Sequence, residues 1–330
     1  MNILVTGGAG YIGSHACKAL ALAGYTPISF DNLVYGHEWA VRWGPSEQGD
    51  IIDRTRLDYI FNHYRPEAVM HFAAYAYVGE SVYDPGKYYS NNVAGTLTLI
   101  ESMLDHGVKN LVFSSSCATY GIPESWPIQE TQQQMPINPY GASKMMIERI
   151  LKDFDHAHGL RSISLRYFNA AGADPDCLIG EAHYPETHLI PLIFDAVSGL
   201  KKAITIHGND YNTPDGTCIR DYIHVSDIAN AHVLSMKSLK EGSPSETYNL
   251  GNGKGFSVLE VIQAVERVVN KKVPYEIGPR RIGDPEVLVG DSRKATENLN
   301  WRPIYGDIDK IIETAWRWYN SEQRKSGINI

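Results

Sequence analysis

Residues 7–13 read Gly-Gly-Ala-Gly-Tyr-Ile-Gly and decide the fold of the chain. The apolar residues 2–6 come directly before them, and the alanine-rich residues 14–23 follow. This order predicts a strand, a tight turn and a helix whose N-terminal N–H groups and positive dipole end can hold a pyrophosphate. The glycines allow the backbone to approach that anion closely. The three motif positions are Gly7, Gly10 and Gly13.

The next predicted strand, residues 26–30, ends in Asp31 and Asn32. A carboxylate at that strand end accepts a hydrogen bond from an adenosine ribose hydroxyl and repels a 2′-phosphate. The sequence therefore predicts NAD, rather than NADP, as the cofactor. Asp50 and Ile51 follow another short strand end and are predicted to lie near the adenine.

Strands and helices continue to alternate along the first half of the chain. Such alternation implies right-handed crossovers and a parallel sheet with its ligands at the carboxyl ends of the strands. The expected fold class is α/β, a Rossmann-type doubly wound parallel sheet with a smaller α/β substrate domain. Strands are predicted at 67–74, 110–113 and 162–168, helices at 53–64 and 87–106, and an ordered loop at 121–139.

A catalytic pair is predicted at the start of the helix that follows Pro139. Tyr140 and Lys144 are four residues apart, so they share a helix face with their Cβ atoms roughly 5–6 Å apart. An ammonium group nearby lowers the pKa of a phenol and makes it a usable proton acceptor. Ser116 lies at a predicted strand end and can hold a substrate oxygen beside Tyr140, although serines at such ends also cap turns.

The pattern changes after Asn169, where Gly, Pro and His become frequent and the elements shorten. We expect a cofactor domain at 1–169 and a substrate domain at 170–330, with residues of about 218–240 packing back onto the first domain. Arg220 and the pair Arg280-Arg281 are candidates for binding a diphosphate, or else for surface or interdomain salt bridges. The later predicted strands are 203–207, 221–225 and 247–250, and the later predicted helices are 226–239, 257–269 and 308–324.

The composition argues against several classes of protein. The 330 residues are 43% hydrophobic and carry a net charge of −8, with no basic tract for a phosphate backbone, so nucleic acid is not an expected partner. The chain starts directly as a strand and has no apolar run of about 18 residues, so neither a signal peptide nor a membrane span is expected. Four widely spaced cysteines and the absence of paired metal-ligand spacings predict a cytoplasmic protein with free thiols and no metal site.

Five stretches together resemble the UDP-glucose 4-epimerases, a family of extended short-chain dehydrogenase/reductases. The resemblance covers Met1 to about Trp301 and implies a tightly held NAD that is not consumed overall. It further implies that Tyr140 takes the proton from the sugar 4-hydroxyl and later returns it, that Lys144 tunes Tyr140 and holds the nicotinamide ribose, and that Ser116 positions the 4-oxygen. A UDP-sugar would pass through a transient 4-keto form. The stretches are residues 6–15, the serines 114–116, Tyr140 with Lys144, and residues 166–169 and 216–224.

The same resemblance assigns further residues to the two ligands, and it implies a homodimer. The cofactor is expected to be lined by Tyr11, Ile12, Asp31, Asn32, Asp50, Ile51, Phe72, Ala73, Asn91 and Phe168. The UDP-sugar is expected to contact Asn169, His188, Leu189, Thr205, His207, Arg220, Arg281, Asp284 and Leu288.

Several positions depart from the family pattern. Ala76 stands where a lysine often meets the cofactor phosphates. His188 replaces an amide side chain, and Thr205 and His207 replace an alanine and an aromatic residue near the uridine. Leu288 stands at the position that gates the hexose pocket in this family. Its side chain is intermediate in size, so the sequence leaves open whether N-acetylated sugars are substrates.

Three other functions are compatible with this type of fold. A 4,6-dehydratase needs an acid and a base after its serine, which Cys117 and Ala118 cannot supply. Epimerisation of a UDP-pentose needs nothing at C6, and residues 117–121 also resemble UDP-arabinose 4-epimerases. A catalytically silent NAD-binding sensor is disfavoured because both Tyr140 and Lys144 are present.

Overall fold

The computed structural model describes residues 1–281 and 283–327, in which helices and strands alternate. The strands are β1 (Asn2–Thr6), β2 (Thr26–Asp31), β3 (Ser46–Gln48), β4 (Ala68–His71), β5 (Asn110–Ser116), β6 (Arg161–Tyr167), β7 (Asn169–Ala171), β8 (Ile204–His207), β9 (Ile219–Arg220), β10 (Tyr222–His224), β11 (Glu246–Leu250), β12 (Phe256–Ser257), β13 (Tyr275–Gly278) and β14 (Val287–Leu288). The helices are α1 (Tyr11–Leu22), α2 (Arg54–Tyr64), α3 (Val78–Tyr83), α4 (Pro85–Tyr88), α5 (Gly95–Asp105), α6 (Pro139–His158), α7 (Leu189–Val197), α8 (Val225–Lys240), α9 (Val258–Val269), α10 (Arg293–Leu299), α11 (Ile308–Tyr319) and α12 (Glu322–Gly327).

The central sheet has seven strands in the order β11-β6-β5-β4-β1-β2-β3, and every neighbouring pair is parallel. The predicted α/β fold with a doubly wound parallel sheet is confirmed. Because parallel strands end at the same edge of a sheet, the turns after β1, β2, β4, β5 and β6 converge there.

Alternate side chains of β1 enter different cores, as the period of two in a strand requires. Ile3 packs into a core that includes Leu20 of α1 and Met236 of α8. Leu4 packs into a second core, which includes Ile60 of α2 and Leu151 of α6. The sheet is therefore covered by helices on both faces.

The later part of the chain builds a smaller α/β unit beside the sheet edge. It contains the parallel pair β8-β13 and the three-stranded sheet β12-β9-β14. Its core is formed by α7, α9 and α11 through buried residues such as Ile193, Val261 and Ile312. β11 and α8, however, join the large sheet and its helical layer. A division of the chain at residue 169 stays a prediction.

Several predicted elements differ from those in the structure. α1 begins at Tyr11 rather than Ser14, because Gly10 already serves as its N-cap. The helix predicted at 87–106 consists of α4, a π-helical stretch at Tyr89–Ala94 and α5. The helix predicted at 308–324 is interrupted after Tyr319. Helix α7, which has Pro191 in its first turn, was missed.

Within the described residues, no helix combines the length and apolar character that crossing a bilayer would need.

Candidate active site

The turn between β1 and α1 leaves no room for a side chain at two of its glycines. Gly7 has a φ of +73°, and a Cβ atom there would lie 2.6 Å from the backbone nitrogen of Ala73. A Cβ atom on Gly13 would lie 2.1 Å from the carbonyl oxygen of Gly7. The first N–H groups of α1 have no partner within the helix. This turn, residues 7–13, is called the glycine cradle below. It fits a pyrophosphate group of a dinucleotide.

Asp31 fixes the end of β2 against this turn. Its carboxylate accepts hydrogen bonds from the backbone nitrogen of Ala9 at 3.0 Å and from that of Leu33 at 2.9 Å. Burial raises the pKa of Asp31, and these two hydrogen bonds oppose that rise. The carboxylate thus lies beside the glycine turn at the carboxyl end of β2.

The predicted cofactor residues next to Asp31 have different surroundings. The Asn32 amide donates to the Asp50 carboxylate at 3.0 Å, which holds these two side chains together. Ile51 is only 4% exposed and belongs to the second core, next to Gly95. Its side chain is therefore largely committed to packing.

The end of β4 and the π-helical stretch are each fixed by side-chain contacts. The Phe72 ring packs on the His232 ring with 4.5 Å between centroids. The amide of Asn91 donates to the Asn92 side chain at 3.0 Å, and Asn92 donates to Ser143 Oγ at 3.1 Å. Asn92 was not predicted as a site residue, although it joins this stretch to α6.

Three other predicted cofactor residues make contacts within the protein itself. The Tyr11 hydroxyl donates to the Gly172 carbonyl at 2.6 Å, and Ile12 is partly buried against the core of α1 and α8. Phe168, 6% exposed, follows β6 and packs against Gly290.

The start of α6 brings Tyr140 next to Ser116. The Asn138 side chain caps the helix by accepting a hydrogen bond from the Gly141 nitrogen at 2.8 Å, and Pro139 occupies the first turn, where a helix tolerates it. A Cβ atom on Gly141 would lie 2.4 Å from the Ala118 carbonyl oxygen. Glycine therefore allows the helix start to lie against the 3₁₀ turn that directly follows Ser116.

Burial controls the ionisation of the predicted catalytic pair. Lys144 is 3% exposed, and its Nζ donates to the Ser114 carbonyl at 2.8 Å and lies 5.8 Å from the Tyr140 ring centroid. Burial lowers the pKa of Lys144 to about 7, although the charge of Glu148 raises it. Burial also raises the pKa of Tyr140 to about 12, opposed by a hydrogen bond from Ser116. The expected lowering of the Tyr140 pKa is absent because burial outweighs any effect of the ammonium group.

A buried ion pair beneath Lys144 was missed in the sequence. Glu148 accepts from Arg166 Nη2 at 2.5 Å, and the two side chains are 8% and 7% exposed. Glu148 also accepts from Ser115 Oγ and from the Gln134 amide. The spacing of four residues between Lys144 and Glu148 could have indicated a shared helix face.

A second group of predicted residues assembles around Arg220. Arg220 lies on β9 and donates to Asp284 Oδ1 at 2.5 Å. Leu288 on β14 is its partner in the strand register. Burial raises the pKa of the Cys117 thiol to about 12, and the charge of Arg220 opposes this rise. Arg220 therefore lies within electrostatic reach of the residue next to Ser116.

The remaining substrate candidates flank this group. Burial lowers the pKa of His207, and the nearby charge of Arg281 lowers it further. The Thr205 hydroxyl donates to Glu276 Oε1 at 3.3 Å. Asn169 is held in β7, where its nitrogen donates to the Asp221 carbonyl at 2.9 Å.

His188 is placed differently from the Arg220 group. It is the N-cap residue of α7, just before the partly buried Leu189, and its imidazole bonds to Glu181. Although burial opposes protonation, the Glu181 carboxylate raises the pKa of His188 to about 9. Its polar contacts thus connect it to residues 181–186.

Comparisons with known proteins found a matching family and similar sequences. A profile of the NAD dependent epimerase/dehydratase family matches residues 3–251. The chain is 52% identical to a UDP-glucose 4-epimerase of Rhizobium leguminosarum bv. trifolii over 318 residues, which covers 96% of this chain and 97% of that relative.

Two solved structures show the same architecture. A UDP-glucose 4-epimerase from Brucella ovis in complex with NAD has a TM-score of 0.93 and 52% identity, and the match covers 95% of this chain and 97% of that one. A UDP-glucose-4-epimerase from Stenotrophomonas maltophila, with bound NAD and formylated UDP-arabinopyranose, has a TM-score of 0.94 and 40% identity, with coverage of 97% and 98%.

Proposed function

The chain belongs to the NAD dependent epimerase/dehydratase family, and from this premise we propose that it interconverts UDP-galactose and UDP-glucose through a transient 4-keto sugar. The observation that carries the proposal is the placement of Tyr140 beside Ser116, with Lys144 buried behind them. This is the arrangement that proton transfer at a secondary alcohol requires. The glycine cradle adjoins it at the same sheet edge.

The cofactor that fits the cradle is NAD. Gly7, Gly10 and Gly13 would hold its pyrophosphate, and Asp31 would accept from its adenosine ribose. Bound NAD supplies a hydride acceptor and donor at C4 of the sugar and, when oxidised, a positive charge that favours the Tyr140 phenolate. The cofactor residues assigned from the family resemblance keep their proposed roles, with Ile51 contributing through its backbone.

The chain's own residues perform the proton chemistry. Tyr140 removes the proton from the 4-hydroxyl and returns it after the 4-keto sugar has turned over in the site. Ser116 holds the 4-oxygen next to the phenol. Lys144 favours the charged form of Tyr140 when it is itself protonated, and the buried Glu148 stabilises that protonation.

The nucleotide end of the substrate is held away from the reacting carbon. Arg220 and Arg281 bind the diphosphate, for which guanidinium groups are well suited. Because Arg220 is already paired with Asp284, the diphosphate competes for its donors, and Asp284 is left for the uridine ribose. Leu189, Thr205 and His207 line the uridine, Asn169 and His188 border the sugar nucleotide, and Leu288 limits the hexose pocket.

Firm binding of the nucleotide and loose binding of the hexose are both needed, since the keto sugar must present its other face. This requirement is met when contacts with the nucleotide, remote from C4, supply most of the binding energy. A pentose fits the same mechanism, because C6 takes no part, and a relative has been crystallised with formylated UDP-arabinopyranose. We therefore propose UDP-arabinose as the second candidate substrate.

Turnover by the purified protein tests the proposal. UDP-galactose, UDP-N-acetylgalactosamine and UDP-arabinose are assayed in parallel, without added cofactor and again with NAD. Conversion of UDP-galactose without added cofactor supports both the reaction and the retention of NAD. Activity confined to the pentose would move the assignment to the second candidate. Absence of turnover together with NAD binding would instead identify a silent sensor.

We also propose a homodimer, as the family resemblance implies. Leu97 on α5 and Met146 on α6 are 36% and 41% exposed, which gives these helices apolar surface for a second copy. Light scattering behind a sizing column should give twice the 36.8 kDa chain mass. A monomeric mass at micromolar concentration would contradict this assembly.

A cytoplasmic location completes the proposal. All four cysteines are free, which suits a reducing compartment. Fractionation of the source cells should recover the protein with cytoplasmic markers.

A further inference from the structure

Two histidines and two glutamates converge just before α7. Their ligand atoms all lie within 4.8 Å of one another. The 181–188 cluster consists of Glu181, His183, Glu186 and His188. We propose that the 181–188 cluster binds one divalent transition-metal ion, with zinc as the ion that fits it best.

The donor set matches the chemistry of zinc. Imidazole nitrogens and carboxylate oxygens are common zinc ligands, with bonds of about 2.0–2.2 Å, so a tetrahedral site places donors ~3.3 Å apart. His183 Nδ1 lies 3.2 Å from Glu181 Oε1 and 3.9 Å from Glu186 Oε2. His188 Nδ1 lies 3.8 Å from Glu186 Oε1. These separations lie near the donor spacing of such a site.

One donor in the cluster lacks an aligned hydrogen-bond partner. Among the residues that the structure describes, the buried Nδ1 of His183 makes no hydrogen bond, because its approach to Glu181 is not aligned for one. The His183 side chain is 16% exposed. A buried nitrogen of this kind is destabilising unless it is paired, and a metal ion would use its lone pair.

The two carboxylates lie close together and are only partly compensated. Glu181 pairs with His188, and Glu186 Oε1 accepts from the backbone nitrogens of Thr187 and His188, both at 2.8 Å. The side chains of Glu181 and Glu186 are only 9% and 14% exposed, so two like charges are held together with little access to water. Burying such charges is unfavourable unless they are paired or bound to a metal. A divalent ion neutralises both carboxylates at once and replaces the hydrogen bond between His188 and Glu181. The two imidazoles complete the coordination as neutral ligands after His188 has released its proton to solvent.

The cluster is anchored to the rest of the site by its neighbours. The His183 ring lies 6.2 Å from the ring of Tyr11, the first residue of α1. The Tyr77 hydroxyl donates to the Pro185 carbonyl at 3.1 Å, and His37 bonds to the Ala182 carbonyl at 2.6 Å. A bound ion would therefore fix the segment before α7 against the glycine cradle.

Metal titration of the purified full-length protein tests the site. After dialysis against a chelator, ZnCl₂ is titrated by calorimetry, and CoCl₂ is added separately as a spectroscopic probe. We expect one zinc per chain, a zinc-dependent rise in melting temperature, and cobalt bands of a site with nitrogen and oxygen donors. Thiolate charge-transfer bands should be absent.

Two ligand variants and one matched control identify the residues. His183→Gln and Glu186→Gln should each weaken zinc binding at least ~10-fold, since even residues that only support a ligand cause losses of that size. His156→Gln, an exposed histidine at the end of α6, should bind zinc like the parent protein. Circular dichroism before titration confirms that each variant is folded.

Three results would overturn the site. They are the absence of saturable zinc binding, a cobalt spectrum with thiolate bands, and variants that bind zinc as tightly as His156→Gln. UDP-galactose turnover is read in a separate assay. A failure of the metal site therefore remains distinct from a failure of the proposed epimerase.

Discussion

The ammonium group of Lys144 is enclosed by protein and donates a hydrogen bond to the backbone carbonyl of Ser114. Its pKa of about 7 means that the folded protein binds fewer protons than the unfolded chain between about pH 7 and pH 10.5. Stability consequently rises with pH across this window. The penalty for burying the charge is complete below pH 7 and disappears above pH 10.5.

Lys144→Met should remove this dependence, because Met fills similar space without a charge. The free energy of unfolding of the cofactor-free parent, minus that of the variant, should increase by ~3 kcal/mol between pH 7 and pH 9.5. Denaturant titrations at the two pH values measure it. A difference that stays constant would show that Lys144 keeps an ordinary pKa in the folded protein.

Leu288 provides the second prediction for a single residue. It is partly exposed on β14, in register with Arg220, so a larger side chain there should narrow the hexose pocket. For Leu288→Tyr we expect kcat/KM for UDP-N-acetylgalactosamine to fall ~10-fold relative to UDP-galactose. The volume-conserving Leu288→Met serves as control. If the ratio of kcat/KM for the two substrates were equal in the two variants, Leu288 would not control the size of the hexose pocket.

Among the elements, the start of α6 depends on one close contact. Gly141→Ala places a methyl group 2.4 Å from the Ala118 carbonyl, so the helix must move away from Ser116. We expect a loss of ~1–3 kcal/mol in stability, typical of overpacking, and a kcat lowered at least ~10-fold.

A matched control is available on α3. A Cβ atom at Gly79 meets nothing within 4 Å, so Gly79→Ala should leave kcat unchanged and add up to ~1 kcal/mol in stability. Thermal unfolding and UDP-galactose turnover are measured for both variants. If Gly141→Ala behaved like Gly79→Ala, close packing at the start of α6 would not position Tyr140.

Elements with a clear hydrophobic period were predictable from the sequence. Irregular stretches and very short strands were less predictable. The strands β1, β2 and β6 and the helices α8 and α9 lie within about one residue of their predicted ranges. The π-helical stretch that buries Asn91 and Asn92 was not predicted, because its backbone depends on tertiary packing rather than on local pattern. Short strands such as β9 and β14 carry too few residues to show a period.

At the scale of the whole molecule, the large sheet is completed from far along the chain. β11 pairs with β6, and α8 packs on α1 through the core that contains Leu20 and Met236. Hydrophobic pattern identifies a strand but not its neighbour, so the sequence could place residues 246–250 only in the later half. The fold class, by contrast, followed from the alternation of elements and is confirmed.

This topology predicts that residues 1–169 do not fold alone. The fragment lacks β11 and α8, which leaves β6 as an open edge and exposes the apolar face of α1. We expect no cooperative thermal transition by circular dichroism, whereas the full chain should show one. A cooperative transition in the fragment, accompanied by NAD binding, would establish 1–169 as an independent domain.

The candidate site was predictable only where a motif fixes its chemistry. The glycine turn, Asp31 and the Tyr140–Lys144 spacing are readable because the ligand dictates residue type and distance. The Glu148–Arg166 pair and the 181–188 cluster come from residues whose proximity only the folded chain reveals. The ionisation of Tyr140 depends on burial, which no spacing records.

The most direct test of the central claim, that Tyr140 transfers the proton at C4, compares Tyr140→Phe with the parent in UDP-galactose turnover. We expect kcat to fall at least ~100-fold while the Kd for UDP stays within about twofold, because the phenol acts in proton transfer and not in nucleotide binding. Tyr59→Phe, at an exposed tyrosine on α2, should match the parent. A Tyr140→Phe variant that keeps the parent kcat would contradict the assignment.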